Sequence, residues 1–213
     1  MTRAGVSGVH HQTSAHACPR ECRRPCRAVP KSGALAVCWP HTGRVMTMRE
    51  AQPQDAAEVA GVNVRSWQVA YRGLFPDDYL DGLRAEDRMA HYTFGDGRLG
   101  SPATLVAVID ATICGFVATG PARDEDAANA GEVYAIYVDP QAWGRGIGRS
   151  LIAEARTRLS GQGFAEAVLW VHAGNERAQR FYRADGWQSD GHRRQEYVWG
   201  ALADEVRYRR CLP

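Results

Sequence analysis

Three features of this 213-residue chain hold residues whose types and spacing could do chemistry. The first is Gly144-Arg145-Gly146-Ile147-Gly148-Arg149-Ser150, glycines at alternate positions with arginines between, followed directly by an amphipathic helical pattern. A helix starting there leaves its first N–H groups without internal partners and presents the positive end of its dipole, which suits an anion. Glycine lets the backbone approach that anion closely. Arg145 and Arg149 add charge and forked donors. A tight turn with solvated arginines is the plain alternative. Two known phosphate loops are excluded: Arg149 stands where a dinucleotide fingerprint needs glycine, and no Gly-Lys-Ser/Thr follows. The second feature is the run Asn175-Glu176-Arg177-Ala178-Gln179-Arg180-Phe181-Tyr182, where Asn175 suits a helix N-cap. The third is Glu132, an acid opening an apolar strand. A partly buried carboxylate there could take a proton directly or through a water; a solvated strand end is the alternative.

These residues need elements to position them. Val133 to Val138 is apolar on both faces of a strand period, with Val133, Ala135 and Tyr137 on one side and Tyr134, Ile136 and Val138 on the other. Such a strand is central and covered on both faces. Asp139-Pro140 ends it. Behind the glycines, Leu151, Ile152, Ala155 and Leu159 make a buried stripe, with Glu154, Arg156 and Arg158 toward water. Ala167–Val171 is a second buried strand, so strand, helix and strand form a right-handed parallel crossover. Ala178, Phe181 and Tyr182 share one face of the short helix that Asn175 caps.

Upstream, Val45–Ala51 reads as a strand, and Ala56, Ala60, Val64, Trp67 and Tyr71 trace a helix face that Gly73 stops. A second helical region is expected from Asp77 to about Thr93. Ala103–Ile109 and Thr112–Thr119 form a hairpin across Asp110-Ala111, and Pro121–Gly131 reads as a mobile loop. Trp187–Trp199 and Val206–Arg210 are closing strands.

Composition narrows the class. Apolar content of 45% and charged content of 23% are those of an ordinary globular protein. No apolar run approaches the ~20 residues of a membrane helix. The net charge of +2 is uneven: residues 1–44 carry +6, and the remainder −4. A mildly acidic body is not a nucleic-acid binder's. Residues 1–44 lack a sustained period and are expected to be a disordered extension, with Met46 or Met48 as an alternative start and 45–213 as the working domain. Cys18, Cys22, Cys26 and Cys38 do not form the two close pairs of a zinc module, so no metal is expected. The expected compartment is the cytoplasm.

Strand, Asp-Pro, Gln141-Ala142-Trp143-Gly144-Arg145-Gly146 and helix resemble the acetyl-CoA motif of the GCN5-related N-acetyltransferases. Asn175, Ala178, Phe181-Tyr182 and Gly186-Trp187 resemble that family's second motif. Both occur in order, and the likeness runs from Val45 to Cys211. The element order strand, two helices, three strands, helix, strand, helix, two strands is similar to the family's α+β acyl-CoA N-acyltransferase fold. That implies a mixed, twisted sheet of about six to seven strands with helices on both faces.

The resemblance also implies chemistry: an acetyl group moves from acetyl-CoA to a primary amine by direct attack in a ternary complex. It gives pyrophosphate binding to Gln141 and to the segment Gly144, Arg145, Gly146, Ile147, Gly148, Arg149 and Ser150. Ile136, Tyr137 and Val138 would pair with pantetheine like an added strand, beside a family bulge that the sequence does not reveal, and the Val138 N–H would face the thioester carbonyl. Tyr182 matches the general acid, with packing as the alternative, and Asn175 matches a cofactor contact besides its cap. Glu132 is the candidate base, with water in its place as the other reading. Trp67 and Tyr71 lie where the family has its acceptor pocket, and His172 is taken as a surface residue. The acceptor implied is a small-molecule amine or a peptide N-terminus, with no nucleic acid or membrane partner and with a homodimer as one open assembly. A non-catalytic acyl-CoA-binding module is the alternative, and a metal- or nucleic-acid-binding protein led by the N-terminus a more distant one.

Overall fold

The computed structural model describes residues 45–94 and 102–212, together with the backbone of two short strands, β1 (Arg27–Ala28) and β2 (Leu35–Cys38). The other elements are β3 (Val45–Glu50), α1 (Ala56–Ala70), α2 (Asp77–Gly82), α3 (Ala85–Met89), β4 (Ala103–Ile109) and β5 (Thr112–Pro121). After these come β6 (Gly131–Val138), α4 (Ile147–Gly161), β7 (Glu166–His172), α5 (Glu176–Ala184), β8 (Gln188–Val198) and β9 (Ala201–Cys211). One mixed sheet runs β1-β2-β3-β4-β5-β6-β7-β9-β8, so the seven strands from Val45 onward form the expected α+β sheet. The pairing of β2 with β3 puts strand backbone in a region whose sequence shows no period; the rest of that N-terminal expectation lies outside the described residues.

Helices cover both faces. α4 and α5 pack Leu151, Ile152, Leu159, Phe181 and Tyr182 against Val133, Leu169, Val171 and Tyr208. On the opposite face α1 packs Val59 and Val62 on Val106, Ile113 and Phe116, while Trp67, Phe75 and Leu80 meet Ala203. The expected second helix is two short ones, because Leu83 and Arg84 are extended (ψ 135 and 140) between them. Glu154, expected in water, is buried and accepts from Arg158 one turn on, at 3.3 Å.

Two local features shape the site. The ladder of β5 and β6 pairs Ala118 with Ala135 and Thr119 with Val133, so Tyr134 is an extra residue: a β-bulge. It reverses the alternation, so Val133 joins Ile136 and Val138 on the α4 face, while Ala135 and Tyr137 face α1. The simple period put Val133 on the other side. Secondly, β6 and β7 pair in parallel only from Gly131–Ala167 to Val133–Leu169 and part beyond the bulge.

Pro121–Gly131, expected to be mobile, is pinned. Ala127 and Ala130 are buried, and Arg207 on β9 (1% exposed) reaches Asp124 at 3.0 Å and Asp126 at 2.5 Å in this segment, and Asp190 on β8 at 2.7 Å. Polar residues in a loop mark it as mobile only when no buried partner claims them.

Candidate active site

Where β6 and β7 part, a cleft of about 640 Å³ opens between α1, α4, α5 and the β8–β9 hairpin. The β-ladder fixes what faces it. The Asp139 N–H donates to the Cys114 carbonyl at 2.8 Å, which makes Val138 and Gly115 a non-hydrogen-bonded pair. In such a pair the N–H and C=O point away from the partner strand, so those of Val138 and of Ile136 two residues back turn toward the gap. The Val138 carbonyl is already held there, by Ser66 Oγ at 2.9 Å and by Trp143 Nε1 at 2.7 Å.

At one end of the cleft lies the glycine turn. Gly144 and Gly146 have φ of +77° and +78°, a region that side chains rarely enter, and a Cβ built on either would meet nothing within 4 Å. The backbone is therefore bare, as an anion cradle requires. The Ser150 N–H closes the first helical bond, to Gly146 at 3.1 Å, leaving the N–H groups of Ile147, Gly148 and Arg149 ahead of it. Arg149 and Arg177 both line this end; Arg177 lies 3.4 Å over the Trp143 ring, and burial lowers its pKa. Gln141, Arg145 and Ser150 flank the turn outside the lining, and the Gln141 N–H caps onto Asp139 at 3.0 Å.

The middle holds three tyrosines. Tyr182 (7% exposed) packs against Phe181, Trp187 and Tyr208, with ring centroids 5.3 to 6.3 Å apart, and still lines the cleft. Burial, with Tyr137 adding to it, raises its pKa well above that of a free phenol, so its proton is in place at neutral pH. Tyr137 accepts from Trp67 Nε1 at 3.1 Å, and burial raises it too. Tyr71 is raised by burial and by the other two hydroxyls, against a smaller opposing pull from Asn175. Asn175 also caps α5 through the Ala178 N–H at 3.0 Å.

The far end is aromatic and acidic. Trp67, Tyr71, Phe75 and Trp199 line it with His172, whose ring stands edge-on to Phe75 at 5.2 Å and to Tyr71 at 6.0 Å. His172 is thus a cleft residue, not the surface residue its isolated position in the sequence suggested. Burial lowers its pKa, and its Nδ1 accepts the Gly174 N–H at 3.0 Å. Glu132 is buried (1% exposed), and Arg123 satisfies both its oxygens: Nη2 donates to Oε1 at 2.5 Å, and N and Nε donate to Oε2 at 3.0 and 3.2 Å. Glu196 and Glu205 also line this end, both paired with Arg194. Of the residues expected from sequence, Trp67, Tyr71, Glu132, Ile136, Tyr137, Val138, Gly144, Gly146, Ile147, Gly148, Arg149, Asn175 and Tyr182 meet in this cleft. Ser66, Trp143, His172, Arg177, Arg194 and Glu205 were not foreseen. Only Arg177 and Trp143, inside the quoted motifs, carried a signal that could have found them.

Among the described residues no group of three or more His, Cys, Asp or Glu could hold a metal, and no helix is long and apolar enough to cross a membrane.

The family model described as Acetyltransferase (GNAT) family matches residues 63–187. An uncharacterized N-acetyltransferase, YuaI of Bacillus subtilis, is 32% identical over 130 residues, 60% of this chain and 72% of that one. A mycothiol acetyltransferase of Mycobacteroides abscessus is 33% identical over 63% of this chain, which spans 43% of its length. Among solved structures, the PaiA N-acetyltransferase of Thermoplasma acidophilum in complex with coenzyme A superposes with a TM-score of 0.61. It is 22% identical, over 78% of this chain and 98% of that one. YncA of Salmonella typhimurium, solved with acetyl-CoA, gives 0.58 at 19% identity, over 79% and 94%.

Proposed function

The chain belongs to the GNAT acetyltransferase family, and from that premise we propose that it moves an acetyl group from acetyl-CoA to a primary amine by direct attack within a ternary complex. One observation carries the reading: a main-chain donor, a protonated buried phenol and a bare helix N-terminus converge on the gap between β6 and β7.

Acetyl-CoA as substrate supplies the activated acyl group; the chain does the rest. The N–H groups after Gly146, with Arg149 and Arg177, hold the pyrophosphate, flanked by Gln141, Arg145 and Ser150. The free edge of β6 at Ile136 to Val138 receives the pantetheine amides as an added strand would. The Val138 N–H donates to the thioester oxygen as charge grows on it, a donor already oriented before reaction. Tyr182 gives its proton to the departing sulfur. A thiol of pKa about 8.5 leaves more readily with that help. Asn175 caps α5 at the cleft wall and faces the cofactor, and Trp67 and Tyr71 border the acceptor. Glu132, tied to Arg123, shapes the acceptor end and is one candidate to receive the amine's proton.

The test combines binding and turnover. Acetyl-CoA should raise the melting temperature, and an acceptor panel of amino acids, polyamines, aminoglycosides and peptide N-termini should release free thiol with at least one member. No thermal shift at millimolar acetyl-CoA would overturn the cofactor assignment. A shift without thiol release from any amine would leave an acyl-CoA-binding module.

A further inference from the structure

We propose that Glu205 is the catalytic base of the acceptor end: it receives the acceptor as an ammonium ion and takes its proton. The inference rests on the acetyl-transfer reading above and names the charge class of the acceptor.

Register puts Glu205 there. It pairs with His172 across β7 and β9, and residues directly opposite in a ladder share a face. His172 touches Tyr71 and Phe75, so that face is the cleft's, whereas the neighbouring pair Val171–Val206 points into the α4 core. The Glu205 side chain is only 12% exposed and lines the cleft. Its two contacts from Arg194, both at 2.8 Å, go to Oε2. Among the described residues Oε1 accepts from none. Glu132 differs on this point, since Arg123 uses both of its oxygens. A carboxylate with one uncommitted oxygen can accept a proton without breaking an ion pair; one with both committed cannot.

The surroundings favour the proton transfer. Glu205 feels Arg194 and Glu196 on β8, Arg123 at the β5–β6 connection, Tyr71 after α1 and Tyr137 on β6, and stands opposite His172 on β7, whose pKa burial lowers. Burial raises its pKa above the ordinary carboxylate value although Arg194 pulls the other way, which brings it nearer to a working base. The aromatic rings beside it suit a cationic head on an apolar stem.

The step balances. Glu205 Oε1 takes one proton from the ammonium and later loses it to solvent. The neutral nitrogen attacks the carbonyl carbon; the C–N bond forms and the C–S bond breaks. Tyr182 protonates the sulfur, and the second proton leaving nitrogen restores the phenol.

The experiment measures kcat/KM against pH with the fastest amine of the acceptor panel, for wild type, Glu205→Gln, Glu205→Asp and Glu132→Gln. Acetyl-CoA thermal shifts confirm that each variant is folded and loaded. Glu205→Gln should lose at least about 10²-fold near neutrality, the usual reach of general acid–base catalysis. Its profile should keep climbing with unit slope toward the amine's own pKa, where wild type has levelled off. Glu205→Asp should recover part of the loss. A Glu205→Gln enzyme within threefold of wild type, or one losing rate evenly at every pH, overturns the assignment. So does the climbing profile appearing in Glu132→Gln instead. Should Glu205→Gln fail to fold, Glu205→Asp with wild-type rate and profile overturns it equally. A wild type inactive on every amine overturns the acetyl-transfer reading, and this assignment with it.

Discussion

At the scale of single residues, the proposed chemistry depends on the proton of Tyr182 and the bare backbone at Gly146. Tyr182→Phe keeps the ring among Phe181, Trp187 and Tyr208, so fold and acetyl-CoA affinity should hold. Its kcat should fall by about 10²-fold, with kcat/KM falling alongside, as expected for a proton given only in the transition state. Unchanged turnover with binding intact would reduce Tyr182 to packing. Gly146→Glu forces a side chain into φ +78° and sets a negative charge on the cradle. Acetyl-CoA should then no longer shift the melting temperature; a normal shift would mean that the phosphates bind elsewhere. These two residues were legible because their spacing within a motif survives without any three-dimensional information. Glu205 was not, because its role comes from standing opposite His172, and pairing across strands is not written in either strand alone.

At the scale of elements, the fold was read in the right order, and the misreadings share a cause. Asp77 to about Thr93 splits into α2 and α3 because the chain turns extended at Leu83-Arg84; apolar spacing does not register a two-residue break. Tyr134 is a good strand residue, and only counting residues on β5 reveals that it is surplus. The hairpin at Asp110-Ala111 was found, yet both residues adopt positive φ, 49° and 63°. Ala111→Gly relieves that strain and should stabilise the fold by about 0.5–1 kcal/mol, after allowing for the added freedom of the unfolded chain. A lower midpoint of denaturation would show that the alanine methyl packs usefully. Arg207 is the larger risk. Removing a buried guanidinium takes the closest cation from Asp190 and Asp124 (both 17% exposed), leaving Asp190 with Arg209 at 3.5 Å and Asp124 with the Trp170 N–H at 2.9 Å. Arg207→Ala should cost about 3 kcal/mol. Chemical denaturation reads this directly, and a loss below about 1 kcal/mol would show that the segment before β6 is held by its alanines.

At the scale of the whole molecule, the cleft leaves a signature in the pH dependence of stability. Burial raises the pKa of Tyr71, Tyr92, Tyr137 and Tyr182 in the fold. Unfolded tyrosines ionise near pH ~10. Below that both states are protonated and the full stability is present; above it the unfolded chain sheds protons that the fold retains, so stability falls as pH rises. The melting temperature should decline once pH passes about 10, and less steeply in Tyr182→Phe. An equal decline in both would place the lost stability in other groups.

The surplus residue at Tyr134 has one more consequence. Beyond it, the free edge of β6 offers peptide groups, which are alike whatever side chains follow; before it and across the cleft, side chains such as Glu132, His172 and Glu205 form the surroundings. One end of the cavity is thus written in backbone and the other in sequence. On the acetyl-transfer reading proposed above, substitutions at the acceptor end can accumulate while the grip on the cofactor stays as it was. A chain built this way can change customers without changing currency.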